Sequence, residues 1–349
     1  MSRFAWIVLW LSACDASTSA IDASAPDASA PDAPAIDAPS IDAPDGACSP
    51  FGNAPRPLTS DPSGPVPTCS ANGVTGMLLG PWNDPDGTAR YACLYLPATT
   101  APVPLVVYLM PSLAEADGIR NTNLLSFMET TSLRADGSGA GFAVLAPQGR
   151  GTLHYYPAPD DQGSGWDMWY RQFGTSNVET YAPNVDMLAI DHFLASAIAT
   201  GRIDASRTFV SGWSNGASFA YAYGLFRPSV RAIAVYSGGT STFGGGDPCP
   251  QTPVDRAPAS DAEIQIPRTD LPVMHVHNAC DAGDSCPVIL AYDAQLHGLG
   301  LPITEVIVDG TSEVSACATT CGAALGLAHH LQWPDGEMAR MLAFFAAVP

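Results

Sequence analysis

The chain has 349 residues and a formal net charge of −20 at pH 7, with 14 basic residues against 34 acidic ones. All the basic residues are arginines and they do not cluster. No basic patch could therefore neutralise phosphates, and we expect no nucleic-acid partner. Composition divides the chain into three predicted segments, residues 1–14, 15–47 and 48–349.

The N-terminal segment has the pattern of an export signal. Arg3 supplies a positive charge, and the apolar run from Phe4 to Leu11 is too short to span a bilayer. The ending Leu-Ser-Ala-Cys14 resembles the lipobox of bacterial lipoproteins, in which the cysteine becomes the lipidated first residue. This resemblance implies an exported bacterial protein that a lipidated Cys14 anchors in a membrane, facing the periplasm or the cell exterior.

Residues 15–47 are a spacer built of repeated Ala, Pro and Asp. The segment has no aromatic residue and carries a charge at nearly every repeat, so it cannot bury enough apolar surface to fold. We therefore predict a disordered tether. Its prolines favour an extended chain that reaches up to about 100 Å at ~3.1 Å per residue.

Residues 48–349 alternate strand-like and helix-like segments, as expected for one α/β domain with a mostly parallel sheet. Short apolar, β-branched runs predict strands near 90–95, 104–109, 142–146, 207–212, 232–237, 273–277 and 303–308. Helices are predicted over 184–200, 217–226 and 337–347. The Gly- and Pro-rich stretch from Gly238 to Asp270 is long for a simple loop. It is either an insertion that covers substrate or a surface excursion.

One motif lies between a predicted strand and a predicted helix. Gly212-Trp-Ser214-Asn-Gly216 is the only Gly-x-Ser-x-Gly of the chain. In such a sharp strand-to-helix turn the serine hydroxyl stands at the edge of the sheet, and the glycines leave room for the neighbouring strand and helix. The motif predicts that Ser214 is the nucleophile of a serine hydrolase. A buried turn serine is the alternative.

A serine nucleophile needs a histidine to take its proton and a carboxylate to fix the histidine tautomer. In the α/β-hydrolase arrangement these partners follow in the order Ser, Asp, His, on loops after later strands. Asp281 follows the predicted strand 273–277, with Asp284 as the alternative acid. His329 and His330 follow the predicted strand 303–308.

The segment from Gly201 to Gly238 resembles the secreted esterases related to polyhydroxybutyrate depolymerases and feruloyl esterases, carbohydrate esterase family 1. Looser similarity extends over roughly residues 75–347, including segments 104–109, 146–149, 165–169, 277–281 and 326–334. The resemblance implies an α/β-hydrolase fold, with a mostly parallel central sheet and helices on both faces. It also implies a serine ester hydrolase that acts through an acyl-enzyme without cofactor or metal. The expected substrates are polyhydroxyalkanoate chains, or feruloyl or acetyl esters of polysaccharide.

Carried over to this sequence, the resemblance assigns the nucleophile to Ser214, the acid to Asp281 and the base to His329. We prefer His329 because the family's Gly-x-x-His spacing is kept from Gly326. His330 is the alternative, because the family's histidine lies closer to the following tryptophan.

The resemblance also implies further site residues. The backbone N–H groups of Asn215 and Ser112 would bind the oxyanion, although the loop before Ser112 has Met-Pro where the family has His-Gly. Trp166, Trp169 and Trp333 are candidates for the substrate cleft, with a core position as the alternative for Trp166 and Trp169.

Eight cysteines beyond Cys14 predict up to four disulfides in an exported protein, with the pairing left open. Two close pairs, Cys280/Cys286 and Cys317/Cys321, flank the acid and histidine loops, so we expect bridges that stiffen both loops. A weaker hypothesis places a metal near His275 and His277, together with Cys280, Asp281 and Asp284.

Two other functions remain open at this point. One is a serine peptidase with the same triad, because ester and amide cleavage use the same groups. The other is a non-catalytic surface-binding lipoprotein on a decayed hydrolase fold.

Overall fold

The computed structural model describes residues 65–84, 87–151, 164–166, 185–238, 268–281, 285–321 and 323–349. All of them lie in the unit Asp42–Pro349. The predicted signal segment, the lipidation site Cys14, the tether, Trp169, Asp284 and most of the stretch after Gly238 fall outside the described residues. The predictions made for them therefore stay predictions.

The apolar runs of the sequence form the strands of a central sheet. In the described residues the strands are β1 (Ser70–Ala71), β2 (Val74–Thr75), β3 (Met77–Asn83), β4 (Ala89–Tyr95), β5 (Val103–Leu109), β6 (Ala143–Pro147), β7 (Arg150–Gly151), β8 (Ser164–Gly165), β9 (Ile203–Trp213), β10 (Val230–Tyr236), β11 (Val273–Asn278), β12 (Ile303–Val308) and β13 (Glu313–Val314). Nine of these form one sheet in the order β13-β12-β11-β10-β9-β5-β6-β4-β3. The remaining four form two small antiparallel pairs, β1 with β2 and β7 with β8.

The centre of the sheet is parallel. Strands β6, β5, β9, β10, β11 and β12 pair in parallel, while β3, β4 and β13 are antiparallel to their neighbours. Without the short edge strand β13, the eight remaining strands lie in the order 1-2-4-3-5-6-7-8 when counted along the chain. This order, with its antiparallel second strand, is that of the α/β-hydrolase fold.

The helices cover both faces of this sheet. They are α1 (Leu124–Phe127), α2 (Val185–Ala199), α3 (Asn215–Phe226), α4 (Cys286–Gly298), α5 (Ala323–His330) and α6 (Glu337–Ala347), with a 3-10 helix over Ala116–Asn121. Successive side chains of a strand point to opposite faces. On β9, a Cβ at Gly212 would overlap α3, whereas the ring of Phe209 stacks on Phe345 of α6 with ring centroids 4.8 Å apart. Helices α3 and α6 therefore lie on opposite faces.

Burial explains why the central strands could be predicted. All seven residues of β5 are buried, because a parallel sheet covered on both faces needs continuous apolar strands. The seven predicted strands and three predicted helices are all present. The edge strand β3 is mostly exposed and contains Pro81, which is typical of an edge, and the sequence analysis did not predict it.

Helices α4 and α5 were not expected either. The segment that carries His329 and His330 was expected to be a loop, and it is the helix α5. Among the described residues, no helix is long and apolar enough to cross a membrane.

Three disulfides join described residues. Cys69 pairs with Cys93, and the expected bridges at the acid and histidine loops are present as Cys280–Cys321 and Cys286–Cys317. Both of the latter bridges run from one loop to the other, so they connect the acid side of the site to the histidine side. Disulfides of this kind are compatible with an exported protein.

Candidate active site

Ser214 forms the turn between β9 and α3. Its φ of 53° and ψ of −124° lie in a region that residues other than glycine rarely adopt. Backbone hydrogen bonds hold the turn: the Ser214 N–H donates to the carbonyl of Tyr236 at 3.0 Å, and the carbonyl of Ser214 accepts from the N–H groups of Ala217 at 2.8 Å and Ser218 at 3.1 Å. The chain thus passes from strand to helix in one residue, which leaves the Ser214 hydroxyl beyond the carboxyl end of β9.

Glycines make this turn sterically possible. A Cβ at Gly212 would overlap the carbonyl oxygen of Gly216, and a Cβ at Gly216 would overlap the carbonyl oxygen of Leu109 at the end of β5. This is the crowding by strand and helix that the sequence predicts for the motif. A third glycine, Gly238, was not foreseen. It follows β10, and a Cβ there would overlap Ala217 in the first turn of α3.

Three side chains from distant parts of the sequence are joined by a continuous series of hydrogen bonds. The Ser214 hydroxyl lies 2.9 Å from Nε2 of His330, and Nδ1 of His330 lies 2.9 Å from Oδ1 of Asp281. Because the carboxylate accepts the proton on Nδ1, Nε2 is left to accept the serine proton. The Asp281 side chain is fully buried, while that of His330 is 13% exposed. The hydroxyl, imidazole and carboxylate are thus arranged for proton transfer from serine to histidine.

The histidine that contacts both Ser214 and Asp281 is His330. The preference for His329 is therefore corrected. The two residues end α5, where successive side chains point about 100° apart, so only one of them can face Ser214. The ring of His329 instead faces Gly310, where a Cβ would come 3.3 Å from its Cε1. The Gly326-x-x-His329 spacing does not determine which side of α5 faces Ser214, and that side carries His330.

Two aromatic side chains hold the end of α5 against the sheet. The Trp213 indole N–H donates to the carbonyl of His330 at 2.9 Å, and the Tyr236 hydroxyl donates to the carbonyl of His329 at 2.7 Å. Burial, with the charge of Asp281 adding to it, raises the pKa of Tyr236 well above its ordinary value. The hydroxyl therefore stays protonated and remains a donor.

Asp281 lies in a tight turn after β11. Its backbone N–H donates to the carbonyl of Asn278 at 3.1 Å, and the Asn278 side chain accepts from the N–H of Cys280 at 2.9 Å. The disulfide from Cys280 to Cys321 begins one residue before the acid. The turn that presents Asp281 is therefore fixed by its own hydrogen bonds and by a covalent link toward α5.

Ser237 is a site residue that the sequence analysis missed. Its Oγ donates a hydrogen bond to Oδ2 of Asp281 and lies 3.2 Å from Nδ1 of His330. A signal for it was available, because Ser237 is the last residue of the predicted strand 232–237, and that strand lies next to the one that leads to Ser214. Polar residues at the carboxyl ends of neighbouring parallel strands lie at one edge of the sheet.

Two of the predicted cleft tryptophans are core residues. Trp166 is fully buried, its indole N–H donates to the carbonyl of Met110 at 2.9 Å, and its ring stacks on Phe219 with centroids 5.6 Å apart. Trp333 is only 6% exposed and packs edge-on against Trp213. Both side chains are therefore almost completely withdrawn from solvent, as large aromatic surfaces usually are.

The two expected oxyanion donors lie on different elements. Asn215 is the first residue of α3, and its side-chain oxygen accepts the backbone N–H of Trp166 at 2.7 Å. Ser112 lies on the loop after β5 and is exposed. Within the described residues, the Ser112 N–H donates to no backbone acceptor. The start of this loop packs on α3, since the carbonyl of Met110 stands against Gly216.

Three residues of the metal hypothesis have other partners. His275 pairs with Asp293 at 2.6 Å, Cys280 is in a disulfide and Asp281 pairs with His330. Among the described residues, no group of three His, Cys, Asp or Glu side chains is arranged to hold a metal ion.

No protein-family model matches the chain, and no curated protein matches it. Solved structures do resemble it, as three examples show. A dienelactone hydrolase from Anabaena variabilis ATCC 29413 is 14% identical over 78% of this chain and 94% of that one, with a TM-score of 0.42. A mutant of the esterase Est22 is 15% identical over 79% and 81%, with a TM-score of 0.49. A puromycin-hydrolysing peptidase from Mycobacterium tuberculosis is 14% identical over 85% and 41%, with a TM-score of 0.46. The assignment of this chain to the α/β-hydrolase fold rests on its own strand order.

Proposed function

We propose that the protein is a serine hydrolase of carboxylic esters, with Ser214 as nucleophile, His330 as base and Asp281 as the orienting acid. The observation that carries the proposal is the unbroken chain of contacts from Ser214 Oγ to His330 and from His330 to Asp281, each 2.9 Å long. Nucleophile and base within hydrogen-bond reach, with the base held by a third group, is the arrangement that activates a serine.

The reaction follows from this geometry. Ser214 Oγ attacks the ester carbonyl carbon as its proton passes to Nε2 of His330, and the resulting imidazolium is stabilised by Asp281. The tetrahedral intermediate collapses to an acyl-serine, and the departing alkoxide takes the proton from Nε2. Water then attacks the acyl-serine with His330 again as base, which releases the acid and restores the Ser214 hydroxyl.

The backbone N–H groups of Asn215 and Ser112 are the proposed oxyanion donors. The residue after the nucleophile is a donor in this type of site. The Ser112 N–H has no backbone acceptor within the described residues, which supports its availability to a ligand. Each donor contributes about 3–4 kcal/mol of transition-state stabilisation.

The proposed substrates are polyhydroxyalkanoate chains or their oligomers first, and feruloyl or acetyl esters of polysaccharide second. The sequence resemblance of the segment from Gly201 to Gly238 supports this choice. Two exposed leucines also support an apolar substrate: Leu113 follows Ser112 and is 65% exposed, and Leu331 follows His330 and is 53% exposed. Apolar side chains exposed beside reacting groups favour contact with apolar acyl chains.

We also propose that the enzyme works outside the cytoplasm, tethered to a membrane through a lipidated Cys14. The three disulfides support an oxidising compartment. The tether of residues 15–47 would let the enzyme reach a polymeric substrate. Replacing Cys14 by Ser should release the protein from the membrane fraction and abolish its labelling by radioactive fatty acid.

The activity is tested with the full chain and its Ser214→Ala variant. A fluorophosphonate probe should label the wild type and not the variant. Rates should then be compared on p-nitrophenyl esters of increasing chain length, methyl ferulate and polyhydroxybutyrate granules. A folded wild-type protein that resists the probe would indicate the non-catalytic binding protein. Faster cleavage of an amide than of the matched ester would indicate the peptidase.

A further inference from the structure

Ser237 stands at the edge of the sheet between the nucleophile strand and the acid loop. It directly follows Tyr236, the last residue of β10, and it is fully buried. Strand β10 lies between β9, which leads to Ser214, and β11, which leads to Asp281. The hydroxyl of Ser237 donates to Oδ2 of Asp281 and lies 3.2 Å from Nδ1 of His330. Ser237 thus contacts both members of the acid–base pair.

The backbone of Ser237 is held in an unusual conformation. Its φ is 52°, in the left-handed region that favours glycine, and its N–H donates to the carbonyl of Val276 on β11 at 3.1 Å. Strained conformations of this kind persist where the surrounding structure requires them, and they concentrate at functional sites. At this position the conformation brings a hydroxyl, which glycine lacks, to the carboxylate of Asp281.

The contact resolves an ambiguity in the acid–base pair. Nδ1 of His330 lies 2.9 Å from Oδ1 and 3.1 Å from Oδ2 of Asp281, so the imidazole N–H could be shared between the two oxygens. A hydroxyl donating to Oδ2 takes one of the two lone pairs of that oxygen and so biases the imidazole N–H toward Oδ1. Hydrogen bonds to a charged acceptor are about twice as strong as neutral ones, so this contact also opposes rotation of the carboxylate.

We infer that Ser237 is a positioning residue of the catalytic machinery. It holds the Asp281 carboxylate so that Oδ1 orients His330 and directs Nε2 at the Ser214 hydroxyl. The inference rests on the proposed function of that triad. Ser237 does not reach the substrate, so its effect should be on the rate of the chemical step and not on binding.

The test is to replace Ser237 in the full chain by Ala and, separately, by Gly. Both changes remove the hydroxyl, but they act oppositely on the backbone, because Gly tolerates the φ of 52° and Ala does not. We expect kcat to fall by about 10- to 100-fold in both variants, with KM within about twofold of the wild type. Equal losses in Ala and Gly would show that the hydroxyl matters and the backbone does not.

Ser211→Ala is the matched control. Ser211 is a buried serine of β9, and its hydroxyl has no hydrogen-bond partner in the part of the chain that the structure describes. Its replacement removes the same atom close to the site without touching the acid–base pair, so kcat should stay within about twofold.

A spectroscopic measurement separates positioning from general loosening of the fold. In the wild type, the proton on Nδ1 of His330 should give a downfield proton resonance, protected by its bond to Asp281. This resonance should broaden or vanish in both Ser237 variants and persist in Ser211→Ala, while thermal unfolding still shows a cooperative transition in all three proteins.

Several outcomes would overturn the inference. Unchanged kcat in Ser237→Ala and Ser237→Gly, with a labelled and active wild type, would remove Ser237 from the machinery and leave the proposed function intact. Loss in Ala with full activity in Gly would assign the effect to the backbone. Two variants that fail to fold beside a folded Ser211→Ala would assign Ser237 a purely structural role. An unlabelled wild type would instead refute the proposed function itself.

Discussion

Two histidine–aspartate pairs involve residues on or just after β11, and within the described residues one of them, His330 with Asp281, contacts a serine hydroxyl. His330 and Asp281 meet at the carboxyl edge of the sheet, next to the Ser214 hydroxyl. His275 of β11 and Asp293 of α4 meet at 2.6 Å, with both side chains only 1% exposed. Both pairs consist of an imidazole and a carboxylate. They differ in the exposure of the histidine and in the hydroxyl group that lies beside it.

The third group beside each pair differs in chemistry. The hydroxyl beside His275 belongs to Tyr221, which lies 3.1 Å from Nδ1 and donates to Asp293 at 3.2 Å. Burial, and secondarily the charge of Asp293, raises the pKa of Tyr221 well above its ordinary value. The phenol therefore keeps its proton and joins helix α4 to the sheet. The two pairs therefore differ in their third group: a serine hydroxyl beside His330, and a phenol that keeps its proton beside His275.

The largest expected effect distinguishes the two neighbouring histidines of α5. His330→Ala and Ser214→Ala should each lower kcat by about 10⁴-fold or more, because either change removes the proton transfer. His329→Ala should stay within about threefold of the wild type. Ester hydrolysis and fluorophosphonate labelling measure this directly. The reverse ranking of the two histidines would contradict the geometry of the site.

The buried pair should control stability instead of activity. His275→Ala leaves Asp293 buried beside Tyr221 without its partner, which should cost about 3–5 kcal/mol of unfolding free energy. The activity of each molecule that remains folded should be unchanged. Urea unfolding measures the free energy of unfolding, and active-site titration gives the activity per folded molecule. His297→Ala, an exposed histidine of the same helix α4, is the control and should change stability by less than about 0.5 kcal/mol.

The disulfide Cys280–Cys321, next to Asp281, should affect both stability and activity. Replacing Cys280 and Cys321 by Ser should lower unfolding free energy by roughly 3–4 kcal/mol. It should also lower kcat about tenfold, because the bridge connects the Asp281 turn to the segment before α5. The double replacement of Cys69 and Cys93 should lose a similar stability with unchanged kcat in the folded enzyme. Equal losses of kcat in both variants would show that the bridge has no specific role in the site.

The smallest effect concerns the support of α5. Trp213→Phe removes the N–H that donates to the carbonyl of His330, a bond worth about 1 kcal/mol, so kcat should fall by roughly two- to fivefold. Trp333→Phe is the matched control, because the indole N–H of Trp333 has no hydrogen-bond partner within the described residues. Similar rates for the two variants would show that the Trp213 bond does not position His330.

The sequence was informative where a local pattern carried the constraint. The glycines at 212 and 216 indicate a crowded turn, and the structure places carbonyl oxygens where their side chains would be. The continuous apolar runs of β5 and β9 indicate buried parallel strands, because both faces of the sheet are covered. The order of Ser214, Asp281 and the histidine pair along the chain also followed from the fold class.

Local pattern could not separate His329 from His330, or predict which cysteines pair. The choice of histidine depends on how α5 meets the sheet, where Trp213 and Tyr236 donate to its last carbonyls. The pairing of the cysteines depends on which segments 31 and 41 residues apart come together. Local pattern could not predict the contact of Ser237 either, because its partner Asp281 is 44 residues away along the sequence.

By itself, the sequence determined the turn at Ser214, the central strands and the set of residues from which the acid and base are drawn. These features depend on steric exclusion and apolar burial within a few neighbouring residues. Only the tertiary structure decided that His330 and not His329 faces the serine, that Cys280 joins Cys321, and that Trp166 and Trp333 are buried. Those choices depend on side chains brought together from distant segments, and their contact energies exist only once the sheet and its helices have assembled.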